Sequence, residues 1–381
     1  MNKYKKRFYT SLITLCSIIL IFILLLILRT IPSISEGYSR TISRVEQYIS
    51  STIFSWLPFS MFELFVILLF IYILVWIILT IYHLHRFSFR GSSKYFLNLG
   101  IVISLVLLTY LGTAGMEYYR YPISGIPQYS EILEDSSKYE DIATYFQDDF
   151  NTIAKSFEYD EKGLLIRPYS IDKLNQIMLD EFKVFDKDDY YTKKTTKAKE
   201  MPLLGLIYRE LGITGVAFAP TGEANVNPYI PAGEYAFTLA HEIAHTKGII
   251  REDDANLVAS YICLNSEDEY LRYSGYVYTI YSLKYLVLCT NDDEVIKNYN
   301  NGFSNLVLND SKARSNYWNE HNKAEKIGNF FNDLYLKLNG TEGTTSYIDK
   351  IDVSNEKGQY KINSYSPYQA LYLSLYFAFN D

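Results

Sequence analysis

The sequence predicts three transmembrane helices followed by a mainly α-helical α+β domain with a small sheet or β-hairpin. Three observations predict it. The first 116 residues hold three long uncharged apolar runs, and the net charge changes sign beyond them. In the remainder, helical apolar spacing gives way at 213–229 to a short β-rich stretch bounded by glycine.

The uncharged runs cover 8–28, 64–81 and 95–116, each close to the ~20 residues that cross a bilayer. They place spans at about 8–28, 61–81 and 95–115 within an anchor of residues 1–120. Lys3, Lys5, Lys6 and Arg7 precede the first run, and Arg86, Arg90 and Lys94 lie in the loop 83–94, so both segments belong in the cytoplasm. An odd number of spans then puts everything after Met116 outside. The first run also has the form of a signal peptide, with a weak small-residue site at Ser33-Ile34-Ser35; cleavage there would leave two spans. Between spans one and two, Ile42, Val45, Ile49, Ile53 and Trp56 recur at helical spacing, which predicts a helix lying along the outer membrane surface.

Residues 1–115 carry ten Lys/Arg against Glu36, Glu46 and Glu63, a balance of +7 that leaves −14 for the rest. An acidic outer half without a clustered basic face excludes nucleic acid as a partner. At 49% hydrophobic and 21% charged, the chain is neither disordered nor fibrous. Three cysteines make no disulfide framework, and Cys263 and Cys289 are expected as buried thiols.

Residues 121–200 read as a neck with Pro122, Gly125 and Pro127, then helices marked by Ile132, Ile142, Tyr145, Phe146 and Phe150, then a basic linker over 193–199. Residues 201–300 form the core. A strand over 213–220, the Thr221-Gly222 turn and a second strand over 223–229 predict a hairpin, followed by a helix over 235–247 that ends at Gly248. Further helices are expected from Asp253 to Leu264 and through 270–288. The C-terminal region, 301–381, is helical over 313–338 and again over 368–379, with a polar stretch at 339–367 between.

The chemistry is concentrated in His241-Glu242-Ile243-Ala244-His245. On a helix this HExxH spacing sets two imidazoles one turn apart on one face, where both can reach one Zn2+. Glu242 lies one step round, placed to take a proton from water as general base. A catalytic zinc takes three protein ligands and keeps one open position. Arg251 stands where a third histidine would follow in the metzincin pattern, so the third ligand comes from Glu252-Asp253-Asp254-Ala255-Asn256. Glu252 is the choice, with Asp254 and Asp253 as rivals. Asn256, one turn on, shares its face and is placed to orient an imidazole. Tyr273 and Tyr276 are candidates for stabilising an oxyanion, against a plain core role. His321, the other outer-half histidine, reads as a satisfied surface residue.

HExxH followed by this acidic block resembles the gluzincin arrangement. More closely, the chain resembles an uncharacterised bacterial membrane family, domain of unknown function thirty-eight ten. The resemblance rests on the three spans, Thr221-Gly222-Glu223-Ala224-Asn225-Val226-Asn227, the HExxH with Gly248, Arg251 to Asn256, Tyr273-Ser274-Gly275-Tyr276 and Tyr335-Leu336-Lys337-Leu338-Asn339-Gly340. The family has Glu where Asp254 stands, which weakens 254 as a ligand, and 352–367 looks like an insertion. The resemblance implies a zincin-like extracytoplasmic domain on a multi-pass anchor in a bacterial cell membrane, hydrolysing a peptide or envelope protein substrate. The gluzincin likeness also implies that an edge strand upstream of the metal helix pairs with an extended substrate, and Glu223, Ala224, Asn225, Val226 and Asn227 are placed to do so, against a purely structural hairpin. The rival reading is non-catalytic, a zinc-stabilised envelope-binding or scaffold protein. An intact Glu242 argues against it.

Overall fold

A long apolar segment satisfies its backbone only within itself, so each of the three runs forms one helix. The computed structural model describes residues 3–86, 89–347, 349–356 and 358–380. Phe87 and Ser88, in the basic loop 83–94, fall outside the described residues, as do the side chains of Lys3, Lys5, Arg86 and Arg90. In chain order the anchor comprises α1 (Lys3–Leu28), α2 (Pro32–Tyr38), α3 (Arg44–Phe54), α4 (Met61–Arg86) and α5 (Phe89–Thr113). Three of these are long and apolar enough to cross a membrane, over Lys6–Leu28, Met61–His85 and Ser93–Thr113. Both α1 and α4 pack against α5.

α3 is inverted relative to a helix of a water-soluble protein. Gln47, Ser50 and Ser51 are buried, whereas Ile42, Val45, Ile49, Ile53 and Trp56 of the same stretch are exposed. Its polar face packs on the domain: Gln47 donates to the Lys194 carbonyl at 2.8 Å.

Beyond the anchor follow α6 (Ser137–Ile153), α7 (Ile171–Glu181), β1 (Ala198–Glu200), α8 (Gly205–Glu210), β2 (Gly215–Phe218), β3 (Glu223–Val226) and α9 (Ala232–Thr246). Then come α10 (Glu252–Leu264), α11 (Glu269–Thr279), α12 (Leu283–Leu288), α13 (Asp293–Asn301), α14 (Asn305–His321), α15 (Glu325–Leu338), the hairpin β4 (Asp352–Glu356) and β5 (Gln359–Ser364), and α16 (Pro367–Asn380). The predicted hairpin is present as β2 and β3, with Gly222 at φ +64° in its turn. The expected linker at 193–199 is instead structural. Its end forms β1, which pairs in parallel with β3 and gives the sheet order β1-β3-β2. Lys193 and Lys199 are taken up by the buried carboxylates of Glu117 and Glu223. The main hydrophobic core runs from Tyr139 to Leu375 and draws on most of the outer helices, with α8, β2 and α15 outside it. Cys263 and Cys289 are buried free thiols.

Polar contacts fasten this domain to the anchor. Arg29, just past α1, donates to the Leu338 carbonyl (3.0 Å) and Asn339 Oδ1 (2.8 Å). Glu63 in the first turn of α4 accepts from the Leu203 and Leu204 amides at 2.8 and 2.7 Å. Arg120 grips Glu36 of α2 with two nitrogens (2.9 and 3.0 Å) and donates to the Gly248 carbonyl at 3.1 Å. Charge-assisted bonds that are this buried cost several kcal/mol to break on one side, roughly 3–5.

Candidate metal centre

α9 is built almost wholly of small and apolar residues around its two histidines and is buried along its length. His241 and His245 fall on one face, ring centroids 4.5 Å apart and planes at 84°. The helix stops at Gly248, whose φ of +87° suits glycine. There Gly248 N–H donates to the His245 carbonyl (3.0 Å) and Ile249 N–H to the Ala244 carbonyl (3.3 Å), the paired bonds of a Schellman turn. That turn sets the Ile249 carbonyl 2.7 Å from His245 Nδ1, which makes Nδ1 the donor and leaves Nε2 facing inward. The chain then starts α10 at Glu252, and the carboxylate swings back over both rings, 3.1 Å from His241 Nε2 and 3.4 Å from His245 Nε2. The three ligand atoms all lie within 4.8 Å of one another.

Burial opposes charge on His245 and on Glu252, yet the attraction of opposite charges prevails. Burial alone would lower His245, but the field and hydrogen bond of Glu252 lift it to about 9. Burial alone would raise Glu252, but the two histidines hold it well below the ordinary carboxylate range. A proton shared between acid and base thus stands where a cation would serve both. Two imidazole nitrogens and one carboxylate oxygen, one imidazole already oriented by a backbone carbonyl, fit the donor set of a catalytic zinc. His241 Nδ1 is buried with no hydrogen-bond partner among the described residues.

Glu242 is buried beneath β2. Burial pushes its carboxyl up, against the fields of His241 and His245 and the Ala217 amide, which pull it down. Its Oε2 has no partner among the described residues. Gly215 makes room for it, since a Cβ there would lie 2.5 Å from Oε1.

Several expected roles fall elsewhere. Glu223, Ala224, Asn225, Val226 and Asn227 do not offer an edge: β3 is the central strand, buried throughout, with β1 on one side and β2 on the other. Glu223 is consumed by Lys199, by Thr221 Oγ1 (2.8 Å) and by the Met61 amide (3.1 Å). The edge nearest Glu242 is β2. Asn227 N donates to the Thr214 carbonyl, so the alternation of an antiparallel ladder turns the backbone groups of Gly215 and Ala217 away from β3. Tyr273 and Tyr276 spend their hydroxyls in the core, on Asp310 (2.9 Å) and Asp149 (2.7 Å). Asn256 does not reach an imidazole; its amide donates to the Tyr347 carbonyl at 3.4 Å. Asp254 lies 3.5 Å from Arg251 and Asp253 2.9 Å from it, and neither joins the cluster. His321 sits near Glu210 at 3.7 Å.

Tyr347 is the aromatic that does approach. Burial, then the charge of Glu252 and also of Glu242, holds its hydroxyl protonated far above the usual range. Asn332 donates to that hydroxyl at 3.2 Å. Tyr118 and Tyr335, hydrogen-bonded to each other at 2.9 Å, also feel Glu252. The Tyr335–Gly340 block was the available signal for Tyr335; Tyr347, alone in a polar tract, gave none.

A family model described as a protein of unknown function, DUF3810, matches residues 38–353. The chain belongs to this family. The DUF3810 match takes in α3, α4, α5 and all of His241, His245 and Glu252, and it ends as β4 begins, at the edge of the segment 352–367 read as an insertion. No curated protein and no solved structure matches the chain.

Proposed function

We propose that this DUF3810 protein is a zinc-dependent metallopeptidase of gluzincin type, anchored by three spans with its amino terminus in the cytoplasm and its site on the outer side. The observation that carries the reading is the convergence of His241, His245 and Glu252 beside a buried Glu242 whose second oxygen has no partner among the described residues. The two Nε2 atoms and the Glu252 carboxylate would hold the ion. Zinc, when bound, supplies Lewis-acid polarisation of a carbonyl and makes water more acidic.

The remaining roles belong to the chain. Glu242, kept basic by burial, takes a proton from the attacking water and returns it to the departing amine. Tyr347, its proton held tightly, donates toward the developing oxyanion. The outward backbone groups of Gly215 and the outward carbonyl of Ala217 receive an extended peptide by strand addition, the part first given to β3. The inverted α3 fits a helix lying at the membrane surface.

Purified full-length protein in detergent should carry one zinc by native mass spectrometry and cleave members of a peptide library. Glu242→Gln should keep the zinc and lose cleavage. A folded, metal-free protein under zinc-replete conditions would overturn the reading, and zinc without any cleavage would favour the scaffold alternative.

A further inference from the structure

We propose that α15 and the turn before and within α8 are inserted into the outer leaflet of the bilayer, so that the domain lies on the membrane through its own apolar surface. This rests on reading α1, α4 and α5 as spans.

The first argument is the helix itself. Ile327, Phe330, Phe331, Leu334 and Leu338 of α15 are all exposed, Phe331 by 62% and Leu338 by 69%. At ~100° per residue they fall within an arc of ~100°, while Leu336, on the opposite side, is buried. Exposed apolar patches of this kind mark an interaction surface. Lys326 and Lys337, the latter paired with Asp333 at 2.8 Å, lie along one flank of the stripe, where long cationic side chains can reach lipid headgroups.

The second argument is continuity. Leu203, Leu206 and Ile207 around α8 are exposed as well, and α8 abuts the start of α15. The Ala324 amide donates to the Glu210 carbonyl at 2.8 Å, and Gly328 lets the Leu211 backbone come close. The two apolar surfaces therefore join.

The third argument fixes the occupant, because this surface is held at the ends of all three apolar helices. Arg29, after α1, binds the carbonyl of Leu338. Tyr110, near the end of α5, donates to the Tyr335 hydroxyl at 3.3 Å. At the start of α4, Glu63 accepts from Leu203 and Leu204, and Phe62 stacks on Tyr208 with centroids 6.0 Å apart. A stripe tied to the points where the spans leave the hydrocarbon meets lipid before it meets another protein. α3 carries a further set of exposed apolar side chains.

Full-length protein reconstituted into vesicles of phosphatidylcholine and phosphatidylglycerol, brominated either near the headgroup end of the chains or near their termini, tests this by tryptophan quenching. The parent emits from Trp56, Trp76 and Trp318, and only Trp76 of α4 reports the spans, through quenching by deep bromines, which is what a quenched parent means below. Phe331→Trp, on an exposed side chain, should add blue-shifted emission that loses most of its intensity to shallow bromines and less to deep ones. Tyr145→Trp on α6, which packs on α11, α12 and α13, should add emission that neither lipid quenches. A quenched parent with an unquenched Phe331→Trp increment would overturn the insertion of α15 and leave the spans standing; if that increment is still blue-shifted, a protein partner covers the face instead. Quenching of Tyr145→Trp equal to that of Phe331→Trp would also overturn it. An unquenched parent would remove the spanning reading and this one together.

Discussion

Gly215→Ala is the substitution for which the structure states most about the proposed base. The added methyl would lie 2.5 Å from Glu242 Oε1, 2.6 Å from Cγ and 2.8 Å from Cδ. Non-bonded carbon contacts settle at ~3.5 Å or more, so the carboxylate has to retreat by ~1 Å. The strand cannot yield instead, because β2 is paired with β3 along its length. Misplacing a reacting group by ~1 Å costs ~100-fold in rate, equivalent to ~2.7 kcal/mol in the barrier. The three atoms nearest the methyl all belong to Glu242, which is not one of the proposed ligands, so zinc should stay. The expected outcome is therefore a folded, fully metallated protein whose kcat on a fluorogenic peptide drops ~100-fold, with KM changed little. Zinc content by native mass spectrometry and kcat together decide it. Unchanged turnover would show that Glu242 does not act from its observed position, and loss of zinc would show that the cluster is not the independent unit described.

Other outcomes follow from the same geometry. In metal-free protein His245 stands at about 9, above its unfolded value of about 6.5, so its protonation stabilises the fold below pH ~6.5 and that contribution fades as pH rises through about 9. Zinc must displace the same proton, and calorimetry at pH ~7 in buffers of different ionisation enthalpy should read release of about one; no release would refute the pairing. Glu252→Ala and His241→Ala should abolish zinc binding while Asp254→Ala leaves it; the reverse would move the third ligand two residues on. Tyr347→Phe should keep zinc and lose ~100-fold in kcat, whereas Tyr273→Phe and Tyr276→Phe should keep kcat and lose ~1.5–3 kcal/mol of stability in denaturant melts, each giving up a bond to a carboxylate. A membrane-impermeant thiol reagent should label Glu342→Cys and spare His85→Cys, the opposite pattern placing the site in the cytoplasm. Gly340, a natural first choice for the outer probe, is unsuitable because a side chain there would strike the Tyr119 hydroxyl. A fragment beginning at residue 125 should be unstable by protease sensitivity, because it leaves Lys193 without Glu117, Lys199 without the Phe54 and Phe59 carbonyls, and Gly248 without Arg120.

What could be foreseen and what could not divides along the range of the forces involved. The apolar helices and α9 are local: length, periodicity and a stopping glycine specify them, and Glu252 follows because a turn at Gly248 leaves little other room. β1 is three residues long, too short to show a period, and it pairs with a strand 26 residues further on. Missing it makes β3 look like an edge and hides the exposure of β2. Tyr273 and Tyr276 carry a helical spacing that fits a site or a core equally well, and only the positions of Asp310 and Asp149 decide between them. Tyr347 reaches the cluster because Asn256 holds its carbonyl and Asn332 its hydroxyl, contacts between distant segments that no pattern in 339–367 announces.

The guanidinium of Arg120 joins Glu36 of the anchor to the Gly248 carbonyl just past α9. A site fastened in this way has no tether to swing on. If the site cleaves peptides as proposed and the apolar helices lie in a membrane, it would travel by lateral diffusion at one fixed altitude, and a bond would be reachable only where its own chain rises or sinks to that height. Selection would then act on distance from the lipid before it acts on side chains. A polypeptide dissolved in the surrounding fluid passes overhead, while the stalk of another membrane protein crosses the working plane at every collision. Lengthening such a stalk by a few residues beside the bilayer would slide its cleavable bond out of reach without altering a single contact in the cleft.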